Sequence, residues 1–212
     1  MVKEKSVIYQ ELKQIGLQEL QENMSRALRV AVMVAYPDGR PLSEPSNLCS
    51  FCALLNSNPE TRARCVASRA ASARAAVATE KEVLHTCHAG LAYLAVPLRV
   101  CGEIVAVVLG GSVALRPLAE DAVARLARET GVDLGELRAA SGTMPVWDEE
   151  KFRAIMTLVQ TLMENILQLL HAKHEIKKKA DELNFLFELS KAVSGSLQVD
   201  EVAKRGYNLR WS

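Results

Sequence analysis

Residues Leu91–Val113 read LAYLAVPLRVCGEIVAVVLGGSV, and this stretch decides the fold. Two apolar, strand-prone runs, Leu91–Val100 and Glu103–Val113, flank the dipeptide Cys101-Gly102. Such runs on either side of a two-residue turn predict a β-hairpin. A third run, Val83–Cys87, lies just upstream, so an antiparallel sheet is expected. A fourth, Leu28–Ala35 (LRVAVMVA), ends in Tyr36-Pro37-Asp38-Gly39. Proline presets φ there and glycine is free to take φ above zero, which predicts a strand and a tight turn.

Helices are expected around this sheet. Ile8, Leu12, Ile15 and Leu20 recur at near-helical spacing between Ser6 and about Met24, the mark of an amphipathic leading helix. Asn58-Pro59-Glu60 supplies an N-cap, a first-turn proline and an acid at the helix dipole, opening an Ala-rich helix from Pro59 to about Ala78. After Pro117 the pattern is helical to Thr130, with Gly131 as the stop, a short helix from Asp133 and a linker SGTMPVW. The fold class is therefore α+β.

The clearest periodicity comes last. Ile155, Val159, Leu162, Ile166, Leu169, Lys173, Ile176, Ala180, Leu183 and Phe187 alternate steps of four and three, a heptad seam with Asp148 as its N-cap. At 1.5 Å per residue the helix is about 50 to 60 Å long, longer than a small domain is wide. A parallel two-stranded coil in a homodimer accounts for the excess, with Lys173 fixing register; the plainer alternative packs the first half on its own domain.

Of the 212 residues, 49% are hydrophobic, enough for one core plus an appendage. Charge is nearly balanced, 26 Lys+Arg against 25 Asp+Glu, which disfavours direct nucleic-acid binding. The opening MVKEKSVIYQELKQ has no apolar core, and no later stretch reaches the roughly 18 apolar residues of a spanning helix. A cytoplasmic protein with no membrane partner is expected.

Five cysteines in a reducing compartment direct attention to metal or redox chemistry. Cys49-x-x-Cys52 can offer two thiolates to one ion, and Cys65 and Cys87 can complete a set of four suited to zinc or an iron–sulfur cluster. His88 could replace one thiolate at zinc, and His85 is a reserve ligand on the same strand face as Cys87. The same thiols can also be core or pocket residues, or a redox switch. Cys101, at the hairpin turn, is set apart from the site. His88-Ala89-Gly90 can line a pocket mouth, and Gly110-Gly111 can admit a ligand close to backbone or relieve crowded packing. His174-Glu175-Ile176-Lys177 is similar to the phosphoacceptor box of sensor histidine kinases but lacks its proline; a solvated basic helix face explains it. No Ser-His-Asp order, nucleophile elbow or carboxylate pair can be assembled, so no enzymatic activity is expected of this chain.

Asn47-Leu-Cys49-Ser-Phe51-Cys52, Asn58-Pro-Glu60-Thr-Arg-Ala-Arg-Cys65, Thr86-Cys87-His88-Ala-Gly90-Leu91, Pro97 and Gly110-Gly111 together resemble the PocR sensory domain, from roughly Glu11 to Leu118. The resemblance implies a PAS/GAF-like antiparallel sheet flanked by helices. It also implies a ligand sensor at the front of bacterial and archaeal transcription regulators and histidine kinases, with ligands among simple hydrocarbon derivatives such as short alcohols and diols. The family's Phe-Cys, Cys and Cys-His-x-Gly positions fall on Phe51-Cys52, Cys65 and Cys87-His88-Ala89-Gly90. Cys49 is an extra thiol. Phe51, His88, Gly90, Tyr93 and Gly110 are the expected ligand-binding residues, and Cys49, Cys52, Cys65 and Cys87 the expected metal ligands. From Leu183 to Val202 the chain looks like the helix that opens a GAF domain. The expected organisation is a sensory domain at 6–145, a signalling coiled-coil helix at 148–194 and the truncated start of a following domain, or a tail, at 195–212. An output domain or response regulator is the expected downstream partner. The rival readings are a thiol redox protein using the CxxC pair and a structural dimerisation adaptor.

Overall fold

The computed structural model of the protein describes residues 8–10 and 12–208, with side chains described through Lys191. Ser6, the expected start of the leading helix, lies outside them, as do residues 209–212 and the side chains of the GAF-like segment beyond Lys191. The chain divides into two units, Met1–Gln168 and Leu169–Ser212.

In the first unit the elements run α1 (Leu17–Leu28), β1 (Val32–Ala35), α2 (Ser50–Ser57), α3 (Pro59–Thr79), β2 (Val83–Thr86), β3 (Ala92–Val100), β4 (Glu103–Val113), α4 (Glu120–Thr130), α5 (Leu134–Gly142) and the beginning of α6 (Glu149–Asn208). The strands form one antiparallel sheet in the order β1-β4-β3-β2. The α+β class, the hairpin and the long last helix are as the sequence predicts. Cys101 and Gly102 both take positive φ, 50° and 84°, the type I′ geometry that matches strand twist. Pro97 is tolerated on the inner strand β3 because β2 ends opposite Ala95, leaving no ladder donor to lose on that side.

Two boundaries in the N-terminal part differ from expectation, and α6 runs on to Asn208 rather than to 194. Residues 8–10 and 12–14 are helical, but Gly16 in the left-handed region separates them from α1, which runs on to Leu28. Arg29, at φ 55°, closes α1 with its N–H donating to the Ser25 carbonyl, so the strand expected from Leu28 starts only at Val32. The helix expected to end at Met24 persists because Gln21 and Ser25, polar by type, are buried. Gln21 donates to the Glu44 carbonyl (2.7 Å) and to Ser46 Oγ (2.6 Å) and accepts from Ser43 Oγ. That network holds residues 41–46 along the outer side of β1, where Val34 N donates to Ser43 Oγ at 2.8 Å.

The caps follow the sequence. Asn58 Oδ1 accepts from Glu60 N and Thr61 N, Asp133 Oδ1 from Glu136 N, and Asp148 Oδ1 from Lys151 N. The helix α3 covers one sheet face, packing Ala73 and Ala76 against Met33, Tyr93, Ala95, Val107 and Leu109. The first part of α6 buries Phe152, Met156, Val159, Met163 and Leu167. Met156 fills the space where Gly110 lacks a side chain: a Cβ there would come within 3.0 Å of its sulfur and methyl carbon. Gln160 Nε2 donates to the Pro97 carbonyl (3.2 Å), and Glu164 Oε1 accepts from Arg99 N (3.0 Å) at the β3 bulge.

Of the expected seam, only Val159 is fully buried in this unit; Leu162 stays 43% exposed. The domain is thus held by a stripe adjacent to the predicted one. In the second unit, the continuation of α6 carries Leu169, Ile176, Leu183 and Phe187 exposed, the last with Lys191 Nζ 4.6 Å from its ring centroid. No helix among the described residues is long and apolar enough to cross a membrane.

Candidate ligand site

The segment joining β2 to β3 is a tight turn, Cys87-His88-Ala89-Gly90. Gly90 N donates to the Cys87 carbonyl (2.9 Å), and Cys87 N to the Leu91 carbonyl (2.8 Å). Gly90 sits at φ 79°, a conformation that glycine adopts without penalty. The turn faces α2 and α4, whose Phe51, Val123 and Leu126 form one core with Leu91 and Leu137 of α5. Between them lies a cavity of about 170 Å³, lined by Phe51, Cys87, His88, Gly90, Leu118, Ala122, Arg125 and Glu129 among others.

His88 is the chemically distinctive group in that cavity. Both its ring nitrogens are buried and neither has a hydrogen-bond partner among the described residues. Desolvation, reinforced by the Arg64 guanidinium, holds its pKa below the ordinary histidine value. The ring is therefore neutral near pH 7, with one N–H donor and one acceptor both unmatched.

There are two smaller cavities of about 30 Å³ each, one of which shares Cys87 and Ala89 with the His88 cavity. The first is lined by Cys52, Asn56, Cys65, Arg69, Cys87, Tyr93 and Ser112, the second by Arg69, Tyr93, Gly110, Gly111 and Ser112 among others. Tyr93 OH donates to Ser68 Oγ (2.9 Å), which lies 3.1 Å from His85 Nε2. His85 is thus engaged with α3 rather than standing as a free ligand.

Eight of the nine expected site residues line one of these three cavities. The exception is Cys49, which packs beside α2 with its Sγ 3.8 Å from Met144 Sδ. Burial pushes the Cys65 and Cys87 thiols up, and a hydrogen bond to Cys49 together with burial raises Cys52. Cys49, at the N-cap of α2, is lowered by the hydrogen bond from Cys52 and by backbone donors of the first turn. Among the described residues no three His, Cys, Asp or Glu side chains gather as a metal-binding group. Four thiols suit zinc by donor chemistry, but this arrangement does not present them as a set. Cys101 is exposed, as its turn position predicts. Sequence reasoning missed Arg69, Asn56, Ser112 and the α4 lining. Of these only the apolar spacing of Leu118, Ala122 and Leu126 gave a signal, as one face of a helical pattern.

Comparison with known proteins gives three findings. A solved IclR homolog complexed with 4-hydroxybenzoate, from Microbacterium hydrocarbonoxydans, is 22% identical and aligns over 62% of this chain and 70% of its own, with a TM-score of 0.29. That likeness is too slight to bear on fold or ligand. "Regulatory protein PocR" of Salmonella typhimurium is 30% identical over 99 residues, 47% of this chain and 33% of that protein, so the match spans about a third of the relative's length. Residues 12–171 match the family described as "Sensory domain found in PocR"; with most of its length inside that match, this chain belongs to the PocR sensory-domain family.

Proposed function

We propose that this chain is the ligand-sensing module of a regulatory protein, and that a small polar organic molecule binds in the 170 Å³ cavity against His88. The observation that carries this reading is the pair of buried, unpartnered ring nitrogens. Each costs about 1 to 3 kcal/mol when left unmatched. A ligand offering one acceptor and one donor recovers that cost. Simple alcohols and diols, the class implied by the family resemblance, carry such groups, and the membership of a sensory family supports a binding rather than catalytic role.

The signal then leaves through α6. Ligand-induced repacking of the β2–β3 turn shifts β3 and β4, on which α6 rests through Met156 at Gly110, Gln160 at Pro97 and Glu164 at Arg99. The exposed Leu169, Ile176, Leu183 and Phe187 favour pairing of α6 with a second copy in a parallel coil that continues to an output domain or response regulator. Ligand must bind the two states with different affinity, because equal affinity shifts nothing.

Thermal and calorimetric titration with a panel of two- to four-carbon alcohols, diols and aldehydes tests the binding step. At a concentration 100 times Kd the fold gains about 2.7 kcal/mol, and His88→Leu abolishes the gain while leaving a folded protein. Absence of stabilisation across the panel refutes a neutral alcohol, diol or aldehyde as the ligand, and absence of binding by the corresponding acids as well refutes the sensor reading. Sedimentation of the wild type against Ile176→Glu/Leu183→Glu tests the coil, which requires a dimer in the first and a monomer in the second. A second reading, a thiol-redox pair, is favoured by one observation: Cys49 stands at a helix N-terminus beside Cys52 with its pKa lowered.

A further inference from the structure

The helix α3 carries four arginines, and three of them are satisfied. Arg62 Nε donates to the Asn56 carbonyl (2.8 Å), Arg64 pairs with Glu129 (3.3 Å) and Arg74 donates to the Asp38 carbonyl (3.2 Å). Arg69 has no hydrogen bond or ion pair with any described residue. It is nonetheless half-buried and lines both small cavities flanking Tyr93. A guanidinium carries five donors and a charge that cannot be shed. Withdrawing one from water without a partner is costly.

The linings of these two cavities contain no Asp or Glu. Their other donors are largely committed. Tyr93 OH donates to Ser68, and Asn56 Nδ2 to the Cys52 carbonyl (2.7 Å) and toward Cys65 Sγ (3.8 Å). The Ser112 hydroxyl is a hydrogen-bond partner of the Cys52 thiol, so what remains on offer is the Arg69 guanidinium, in apolar surroundings of Leu48 and Met33. That is a positive, anion-complementary interior. Each cavity, at about 30 Å³, has room for roughly two waters, and so for a carboxylate head rather than a bulky group.

We propose that Arg69 recognises an anion, and that the molecule sensed by this domain carries a small carboxylate that pairs with the Arg69 guanidinium. The inference rests on the ligand-sensing reading above and narrows its ligand class from neutral alcohols to short organic acids. It also gives the two small cavities and the His88 cavity different tasks. Arg69 takes the charge, while His88 takes a hydroxyl or carbonyl when the acid carries one.

The test is isothermal titration of the whole 212-residue chain with matched pairs of acid and alcohol: acetate with ethanol, 2-hydroxypropanoate with propane-1,2-diol, butanoate with butan-1-ol. Expected is at least a tenfold preference for the acid in one pair, weakened by added salt. Arg69→Gln is expected to erase the preference, a loss of about ten- to a hundredfold for a charge-assisted pair, and Arg69→Lys to retain part of it. Alcohol binding without acid preference, or a preference that survives Arg69→Gln, overturns the role of Arg69 and leaves the sensor reading standing. No binding by any member overturns both. The wild-type comparison decides the matter even where a variant fails to fold.

Discussion

Replacing Gly110 with alanine adds one methyl group where the sheet meets α6, and the outcome separates two accounts of that glycine. A Cβ at this position would lie within 3.0 Å of the Met156 sulfur and methyl carbon and 3.2 Å from its Cγ. Met156 is fully buried, so its thioether cannot swing into solvent. Overpacking of this kind costs about 1 to 3 kcal/mol. The strand gains about 0.5 to 1 kcal/mol from losing a flexible glycine. The difference spans about 0 to 2.5 kcal/mol, and because the clash is with a fully buried side chain the expectation is its upper part, a destabilisation of about 1 to 2.5 kcal/mol, read as a shift of the urea midpoint at constant m. Met156→Ala alone costs about 2 to 5 kcal/mol by leaving a cavity. In the double variant the new methyl occupies part of that cavity, so the two costs are expected to fall short of their sum by about 1 kcal/mol or more. Strictly additive costs, or a Gly110→Ala variant as stable as the wild type, refute the packing account. A variant that keeps its stability but loses ligand would return Gly110 to the ligand-approach role the sequence suggests.

Three further outcomes are expected. The His88 pKa is depressed in the fold, so between the ordinary value of 6.5 and the folded pKa the unfolded chain binds the extra proton; stability therefore falls as pH drops below about 6.5, and His88→Gln flattens that part of the curve in denaturant titrations. Brief iodoacetamide treatment with peptide mass analysis is expected to label Cys49 at lower pH than Cys65 or Cys87, since its thiol is lowered and theirs are raised; equal labelling contradicts this. Anaerobically purified protein is expected to hold less than one equivalent of zinc or iron, because among the described residues no three candidate ligands converge; a stoichiometric metal lost on Cys52→Ser would reverse that expectation.

The sheet was legible because its signals are local: the Cys101-Gly102 turn and the apolar runs on either side need no knowledge of the rest of the chain. The same holds for the caps at Asn58, Asp133 and Asp148. What escaped is tertiary. Nothing in the sequence says that Gln21 and Ser25 are buried: Gln21 is satisfied by the Glu44 carbonyl and the Ser43 and Ser46 hydroxyls, Ser25 by the Glu22 carbonyl. The seam read on α6 left out the stripe beside it, Phe152, Met156, Met163 and Leu167, because periodicity cannot tell which of two neighbouring apolar faces the domain itself consumes. The site was half legible. Phe51, Cys87, His88 and Gly90 share one cavity as their motif implies, whereas Arg69 is one of four arginines on an Ala-rich helix and becomes distinctive only once the partners of the other three are known.

The strap of residues 41–46 has a consequence for how copies of this chain can meet. Along the outer border of β1, Leu42 and Ser43 donate to the Val34 carbonyl, Ser46 N donates to the Val32 carbonyl and Val32 N donates to the Ser46 carbonyl. An open sheet border is a template on which a foreign strand can template itself, and it invites aggregation. Here one border is already sealed by the chain's own loop, and the opposite one, β2, offers only four residues. A strand from a neighbour finds little to add to, so self-association is left to helical surfaces, and high protein concentration poses a smaller hazard than a bare four-stranded sheet would face.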